Sequence, residues 1–155
     1  MGHIFDCLCA GYIDPSGDQP DRCGPILQVG LGDSREEAIG IAAGSYAVGR
    51  NSAVFMQSSG FGNAINGIAS LCIPTRTPIP MFINLRGGLG EFNIAQVPMG
   101  RAVIPILDQL GLPHYTLEDD GNMAASLTGA MKLCHANRQP MGICLTQPLH
   151  GGKVA

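Results

Sequence analysis

The hydrophobic pattern of this chain predicts alternating strands and helices. Short runs of consecutive apolar residues recur about every 30 residues, and longer helical segments lie between them. Apolar runs without regular polar alternation are typical of parallel strands that are buried on both faces. The predicted strands are Ile26–Leu31, Ser52–Met56, Ile79–Leu85, His114–Leu117 and Met141–Thr146.

The segments between these runs predict four helices. The first, Arg35–Val48, consists mostly of small residues and contains Gly40 and Gly44. A glycine inside a helix costs about 1 kcal/mol relative to alanine, so we expect another backbone or a ligand to lie close to these two. The other predicted helices are Ala64 to about Cys72, Arg101–Leu110 and Asn122–His135.

This alternation favours a single three-layer α/β/α sandwich with a mostly parallel sheet and right-handed crossovers. No composition shift or linker divides the chain into two globular domains. We therefore predict an irregular N-terminal segment (1–25), one domain (26–147) and a C-terminal tail (148–155). A chain of this length can bury about two-thirds of its unfolded surface.

Polar and glycine-rich stretches follow three of the predicted strands. They are Gly32–Glu37, Gln57–Asn63 and Arg86–Gln96. Ligands of open α/β sheets bind at the carboxyl ends of the strands, so we expect the three stretches to share one rim.

The sequence also predicts the backbone conformation of two of these stretches. Gly60 and Gly62 can adopt positive φ, which predicts a glycine-rich turn before a helix that starts at Ala64. Arg86–Gly100 predicts a long irregular loop, and its charged and amide side chains favour a functional one.

Composition narrows the class of protein. Only 14% of the residues are charged, against about 25% in ordinary domains, so we expect other chains to cover part of the surface. The net charge of −3 and the lack of a basic run argue against nucleic-acid binding. No apolar run approaches the ~18 residues of a membrane span, and no basic leader precedes the first apolar segment. We therefore expect a cytoplasmic protein.

The six cysteines predict buried free thiols rather than a metal site or disulfides. No Cys-x-x-Cys pair is present, and Cys7 and Cys9 lack a second pair at zinc-finger spacing. We expect no metal-binding residue in this chain.

Three motifs in order resemble a known family. They are Ser34–Gly44 (SREEAIGIAAG), Phe55–Asn63 (FMQSSGFGN), and Arg86–Glu91 (RGGLGE) followed by Ala95–Gly100 (AQVPMG). The chain resembles the pyrimidine-binding domain of thiamine-diphosphate decarboxylases over about residues 26–147. Within that group it is similar to the α subunits of the sulfopyruvate decarboxylase family and to the related phosphonopyruvate decarboxylases.

The resemblance implies a lyase that converts a 3-substituted anionic 2-keto acid to an aldehyde and CO₂ with thiamine diphosphate. In such enzymes a glutamate hydrogen-bonds N1′ of the aminopyrimidine ring. The family places it three residues before the alanine at Ala38, where this chain has Arg35. Glu36 takes the role if the turn is one residue shorter, and Glu37 is the other candidate.

The resemblance also implies residues that hold the cofactor and the substrate. Arg86 is the candidate cation for the anionic substrate, and a simple ion pair with Glu91 is the alternative; Gln96 is a weaker candidate of the same kind. The residues implied to line the pyrimidine pocket are Gln57, Ser58, Ser59, Gly60, Phe61 and Gly62.

The chain lacks the Gly-Asp-Gly motif, with its downstream asparagine, that holds Mg²⁺ and the diphosphate in this superfamily. The resemblance therefore implies a β subunit that carries the diphosphate-binding domain and Mg²⁺, in a hetero-oligomer built on α₂β₂ units. The alternative is a catalytically degenerate binding or regulatory subunit of such a complex.

Overall fold

The computed structural model describes residues 35–117 and 121–149. Within them, helices and strands alternate along the chain. The helices are α1 (Arg35–Ala47), α2 (Ser58–Gly67), α3 (Val97–Gln109) and α4 (Met123–Asn137), and the strands are β1 (Val54–Gln57), β2 (Pro80–Asn84), β3 (His114–Leu117) and β4 (Met141–Leu145). The predicted strand Ile26–Leu31 and the predicted segment 1–25 lie outside the described residues.

The four strands form one sheet in the order β1-β2-β4-β3, and every pair is parallel. Phe82 of β2 lies opposite Phe55 of β1 and Ile143 of β4. The rings of Phe55 and Phe82 stack with their centroids 4.4 Å apart. The predicted α/β class with a parallel sheet is confirmed.

Helices cover both faces of the sheet because strand side chains point alternately to opposite sides. Met81 and Ile83 pack with residues of α1, α2 and α3 in a first hydrophobic cluster. Phe82, between them, packs with residues of α4 in a second cluster. The chain therefore leaves β2 through α3 on one face and leaves β3 through α4 on the other.

Helix α2 starts six residues earlier than predicted. It begins at Ser58, directly after β1, and a π-helical turn (Ile68–Cys72) extends it to the predicted end. The predicted glycine-rich turn is wrong because Gly60 and Gly62 are helical, without positive φ. They serve close contact instead: a Cβ on Gly62 would lie 2.9 Å from Met99 Sδ.

Helix α3 also starts earlier than predicted. A 3₁₀ turn (Ile94–Gln96) leads into α3 at Val97, so the irregular loop extends only from Arg86 to Asn93. Pro98 lies in the first turn of α3, where its missing N–H and fixed φ suit a helix start.

The glycines of α1 have no close neighbour within the described chain. No described atom lies within 4 Å of a Cβ built on Gly40 or Gly44. Ile41 of the same helix is 40% exposed, and Val48, in the turn that follows it, is 73% exposed. The expected close contact is therefore not made by any of the residues that the structure describes.

The segment that follows β4 still contacts the domain at Leu149. Leu149 packs against the second hydrophobic cluster, and its N–H donates to the carbonyl of Thr146 at 3.1 Å. None of the described helices is long and apolar enough to cross a membrane.

The three described cysteines are free and buried, as predicted. Burial raises the pKa of Cys72 to about 11 and those of Cys134 and Cys144 to about 12. The described residues contain no cluster of side chains able to hold a metal ion.

Candidate functional site

Ser58 joins the carboxyl ends of β1 and β2. Its buried hydroxyl donates to the carbonyl of Asn84 at 3.1 Å and accepts from the N–H of Arg86 at 3.0 Å. These two bonds fix the start of the loop that follows β2 beside the first residue of α2. Two of the three predicted polar stretches therefore share one rim.

Arg86 and Glu91 form a two-bond ion pair within this loop. Arg86 Nε lies 2.7 Å from Glu91 Oε2, and Arg86 Nη2 lies 2.9 Å from Glu91 Oε1. Arg86 Nη1 donates to Gln57 Oε1 at 3.4 Å. The side chain of Glu91 is only 1% exposed, whereas that of Arg86 is 24% exposed. The guanidinium is therefore held in place, with Nη1 directed toward the end of β1.

Glu91 organises the loop as well as the arginine. Its carboxylate also accepts the backbone N–H groups of Gly87 at 3.3 Å and Asn93 at 3.0 Å. The hydrogen bonds from Arg86 and then from the Asn93 N–H lower the pKa of Glu91 from 4.5 to about 2, and the pair raises the pKa of Arg86. The loop is thus built around one ionised carboxylate.

This pKa shift predicts acid sensitivity of the loop. Because the folded pKa of Glu91 lies below its unfolded value, the ionised carboxylate stabilises the fold above pH 4.5, and that contribution disappears as the pH falls toward 2. Glu91→Gln should lower the urea midpoint at neutral pH. The difference between the midpoints of the variant and the parent chain should disappear as the pH falls from 4.5 to about 2. Glu37→Gln, at an exposed position, controls for the lost charge. A difference that stayed constant down to pH 2 would contradict this role.

Two glycines let the loop lie directly on α3. Gly87 has a φ of +78°, and a Cβ there would lie 2.7 Å from the Cα of Val97. A Cβ on Gly100 would overlap the backbone carbonyl of Arg86. The two ends of the segment 86–100 are therefore in backbone contact, which a side chain at either glycine would prevent.

The residues predicted to line the pyrimidine pocket divide into buried and accessible ones. Phe61 has no exposed surface and lies in the first hydrophobic cluster, so it cannot pack against a bound ring in this conformation. Gly60 is buried, and both hydrogen bonds of the Ser58 hydroxyl are used within the chain. Gln57, Ser59 and Gly62 are partly exposed.

Helix α2 begins at this rim without a side-chain cap. Gln57 occupies the N-cap position and makes no capping bond to the helix. The first N–H groups of an α-helix have no partner within the helix. They are the backbone donors nearest to Gln57 and Ser59.

The two candidate glutamates lie in the first turn of α1, and both are exposed. Glu36 Oε1 accepts a hydrogen bond from Asn66 Nδ2 at 3.1 Å, near the end of α2. Arg35 is the residue that lies beside the start of α2: its Cγ is 3.2 Å from a Cβ built on Gly60. The structure therefore does not bring Glu36 together with Gln57 and Arg86.

Gln96, the weaker substrate candidate, precedes α3 at the same rim. Its side-chain Oε1 is buried and has no hydrogen-bond partner among the described residues. An acceptor in this state is available to a donor that approaches the rim.

The structure also shows an open depression over the carboxyl ends of β2 and β4 that sequence reasoning missed. Its volume is about 640 Å³. From the sequence alone, Gln147 was predicted only as the last residue of the domain. Thr146 and Gln147 directly follow β4, so they lie at the same edge of the sheet as Gln57, the last residue of β1. The lining residues are Leu85, Arg86, Gly87, Gly88, Leu89, Gly100, Arg101, Thr146, Gln147 and Pro148.

The chain is similar in sequence to proteins whose names state a function. No protein-family model matches this chain. It is 48% identical over 81 residues to the sulfopyruvate decarboxylase subunit alpha of Methanothermobacter thermautotrophicus, which covers 52% of this chain and 49% of that protein. It is 36% identical over 110 residues to the subunit of the same name from Methanococcus maripaludis. That match covers 71% of this chain and 66% of the relative. The chain is homologous to these alpha subunits.

A third relative is a longer protein. The sulfopyruvate decarboxylase of Methanosarcina acetivorans is 38% identical over 79 residues, which covers 51% of this chain and 20% of that protein. The matched segment spans about half the length of the first relative and a fifth of this longer one. The predicted resemblance to sulfopyruvate decarboxylase alpha subunits is thereby confirmed over part of the chain.

Proposed function

We propose that this chain is the pyrimidine-binding α subunit of a two-chain, thiamine-diphosphate-dependent decarboxylase. Its proposed substrate is sulfopyruvate, or phosphonopyruvate as a second anionic 2-keto acid, and its products are the aldehyde and CO₂. The observation that carries the proposal is the similarity to sulfopyruvate decarboxylase alpha subunits. The rim formed by β1, β2 and the start of α2 supports the proposal, because it carries accessible polar groups that could bind a polar ring.

The accessible part of the rim fits the polar edge of an aminopyrimidine. Gln57 and Ser59 offer side-chain donors and acceptors, and the uncapped start of α2 offers N–H groups. Thiamine diphosphate, when bound, supplies the electron sink that decarboxylation of a 2-keto acid needs. Gln57 and Ser59 would orient the ring, and Glu36, or Glu37 in its place, would share a proton with N1′.

A second candidate function is a non-catalytic binding or regulatory subunit of the same complex. The observation that favours it is the position of the charged side chains at the start of α1. Arg35 lies beside Gly60, and Glu36 is hydrogen-bonded to Asn66 near the far end of α2. This arrangement supports the non-catalytic role, because a cation rather than Glu36 lies beside the start of α2.

A β subunit with the diphosphate-binding domain and Mg²⁺ belongs to both versions of the proposal. Two relatives are named as alpha subunits, and a third contains the similar segment in a longer chain. The loop at the rim and the 3₁₀ turn that follows it also expose large apolar side chains: Leu89 is 100%, Phe92 60% and Ile94 85% exposed. Exposed apolar side chains grouped in one segment are typical of a surface that another protein covers. We propose a complex built on α₂β₂ units.

Substrate choice tests the role of Arg86. Arg86→Ala alone would leave the buried Glu91 carboxylate without its counterion, so the informative variant is Arg86→Ala/Glu91→Gln. A guanidinium bonded to a tetrahedral anion contributes about 1.5–3 kcal/mol. We therefore expect kcat/KM for sulfopyruvate to fall at least about tenfold more than for pyruvate in the assembled enzyme.

Glu91→Gln is the matched control, because it breaks the same ion pair and keeps the guanidinium. It should retain most of the preference for sulfopyruvate over pyruvate. An equal fall for both substrates in the double variant would remove Arg86 from the anion site.

A further inference from the structure

The depression above β4 lies where the topology of the sheet favours ligand binding. Open α/β sheets bind ligands outside the carboxyl ends of their strands. The depression lies at this edge, over the ends of the adjacent strands β2 and β4. A volume of about 640 Å³ is in the range of small-molecule sites.

Gln147 provides an unpaired acceptor in this depression. The residue is 8% exposed, and its side-chain Oε1 is buried without a hydrogen-bond partner among the described residues. Gly88, across the depression, would bring a Cβ within 3.3 Å of that oxygen, so glycine keeps the space beside it open. Buried polar atoms are almost always paired, which indicates that a donor from outside the described chain completes Gln147.

Arg101 provides the positive charge. It is exposed in α3, and none of the hydrogen bonds or ion pairs of the described residues involves its guanidinium. Arg86, the other lining cation, is neutralised by Glu91. None of the described residues that line the depression is acidic, and Leu85 and Pro148 add apolar surface.

We propose that this depression binds a small organic anion that also carries a hydroxyl or amino donor. The anionic group would pair with Arg101, and the donor would complete Gln147 Oε1. Apart from Arg86, no residue of the proposed pyrimidine and substrate site lines the depression. The depression therefore adjoins the proposed substrate site through Arg86, while the contacts assigned to Arg101 and Gln147 do not depend on the decarboxylase function.

The test is a titration of the isotopically labelled full chain, without thiamine diphosphate or a partner, followed by NMR. The probes are isethionate (a sulfonate with a hydroxyl), ethanesulfonate (the sulfonate alone) and ethylene glycol (hydroxyls alone). Isethionate should produce saturable shifts at Gly88 and at the side chains of Arg101 and Gln147. It should bind about tenfold more tightly than ethanesulfonate, the gain of roughly one hydrogen bond. Ethylene glycol should not saturate.

Variants assign the two contacts. Gln147→Met, of similar size, should abolish the preference for isethionate over ethanesulfonate. Arg101→Gln should weaken both sulfonates, whereas Lys132→Gln, the same loss of charge on an exposed face of α4, should weaken neither. Lactate and propionate form the same comparison for a carboxylate, with and without a hydroxyl. Their affinities, set against those of the two sulfonates, show which anion the site prefers.

The proposal would be overturned if isethionate and ethanesulfonate bound the parent chain equally, or if shifts at Arg101 and Gln147 did not saturate. That comparison needs only the parent chain, so it decides the question even if Gln147→Met fails to fold. Because no cofactor is present, a negative result leaves the proposed decarboxylase function untouched.

Discussion

Gly100→Ala is expected to destabilise the chain by about 3 kcal/mol, near the upper end of what overpacking costs. The new Cβ would overlap the backbone carbonyl of Arg86. A backbone atom cannot move aside as the end of a flexible side chain can, so either α3 or the start of the loop must shift. The loss should appear as a lower urea midpoint with an unchanged slope.

Gly129→Ala is the matched control for this prediction. Gly129 lies inside α4, and no described atom is within 4 Å of a Cβ built there. The same substitution should therefore leave stability unchanged or raise it by up to about 1 kcal/mol, the helix preference for alanine over glycine. If the two variants had equal midpoints, the backbone contact between α3 and Arg86 would not be a feature of the folded chain.

Glu36→Gln or Glu37→Gln is expected to lower the decarboxylation rate of the assembled enzyme at least about tenfold, because general acid–base groups contribute that much or more. Only the glutamate that reaches N1′ should have this effect. Both side chains are exposed in the described chain, so neither substitution should change the free energy of unfolding by more than about 0.5 kcal/mol.

The two glutamates also separate the two candidate functions. The hydrogen bond from Asn66 holds Glu36 away from the start of α2, so a catalytic Glu36 must exchange that bond for one to the cofactor. Asn66→Ala should then leave the rate unchanged or raise it. If neither glutamate variant slowed the reaction, the chain would be the non-catalytic subunit.

The fold was largely predictable because buried parallel strands have a strong local signal. The apolar runs at β2 and β4 matched the structure to within one residue at each end. The start of α2 was not predictable in the same way, since a glycine such as Gly60 can serve either a turn or a close contact within a helix. Only the neighbouring Arg35 and Met56 distinguish the two roles.

The candidate site was predictable where one rule of the fold applied. Polar residues after β1 and β2 were expected at one rim, and Ser58 joins them there. The burial of Phe61 was missed because an aromatic residue among glycines gives no sign of which way it points. Gln147 was missed because the same rule was not extended to the residues after β4.

The measurement that tests the central claim most directly is CO₂ release from sulfopyruvate by three samples: this chain, a candidate diphosphate-binding partner subunit, and their mixture. Each sample contains thiamine diphosphate and Mg²⁺, and native mass spectrometry reports its assembly state. We expect turnover only in the mixture, together with a hetero-oligomer built on α₂β₂ units. A stable monomer of this chain that bound the cofactor tightly and released CO₂ unaided would contradict the account.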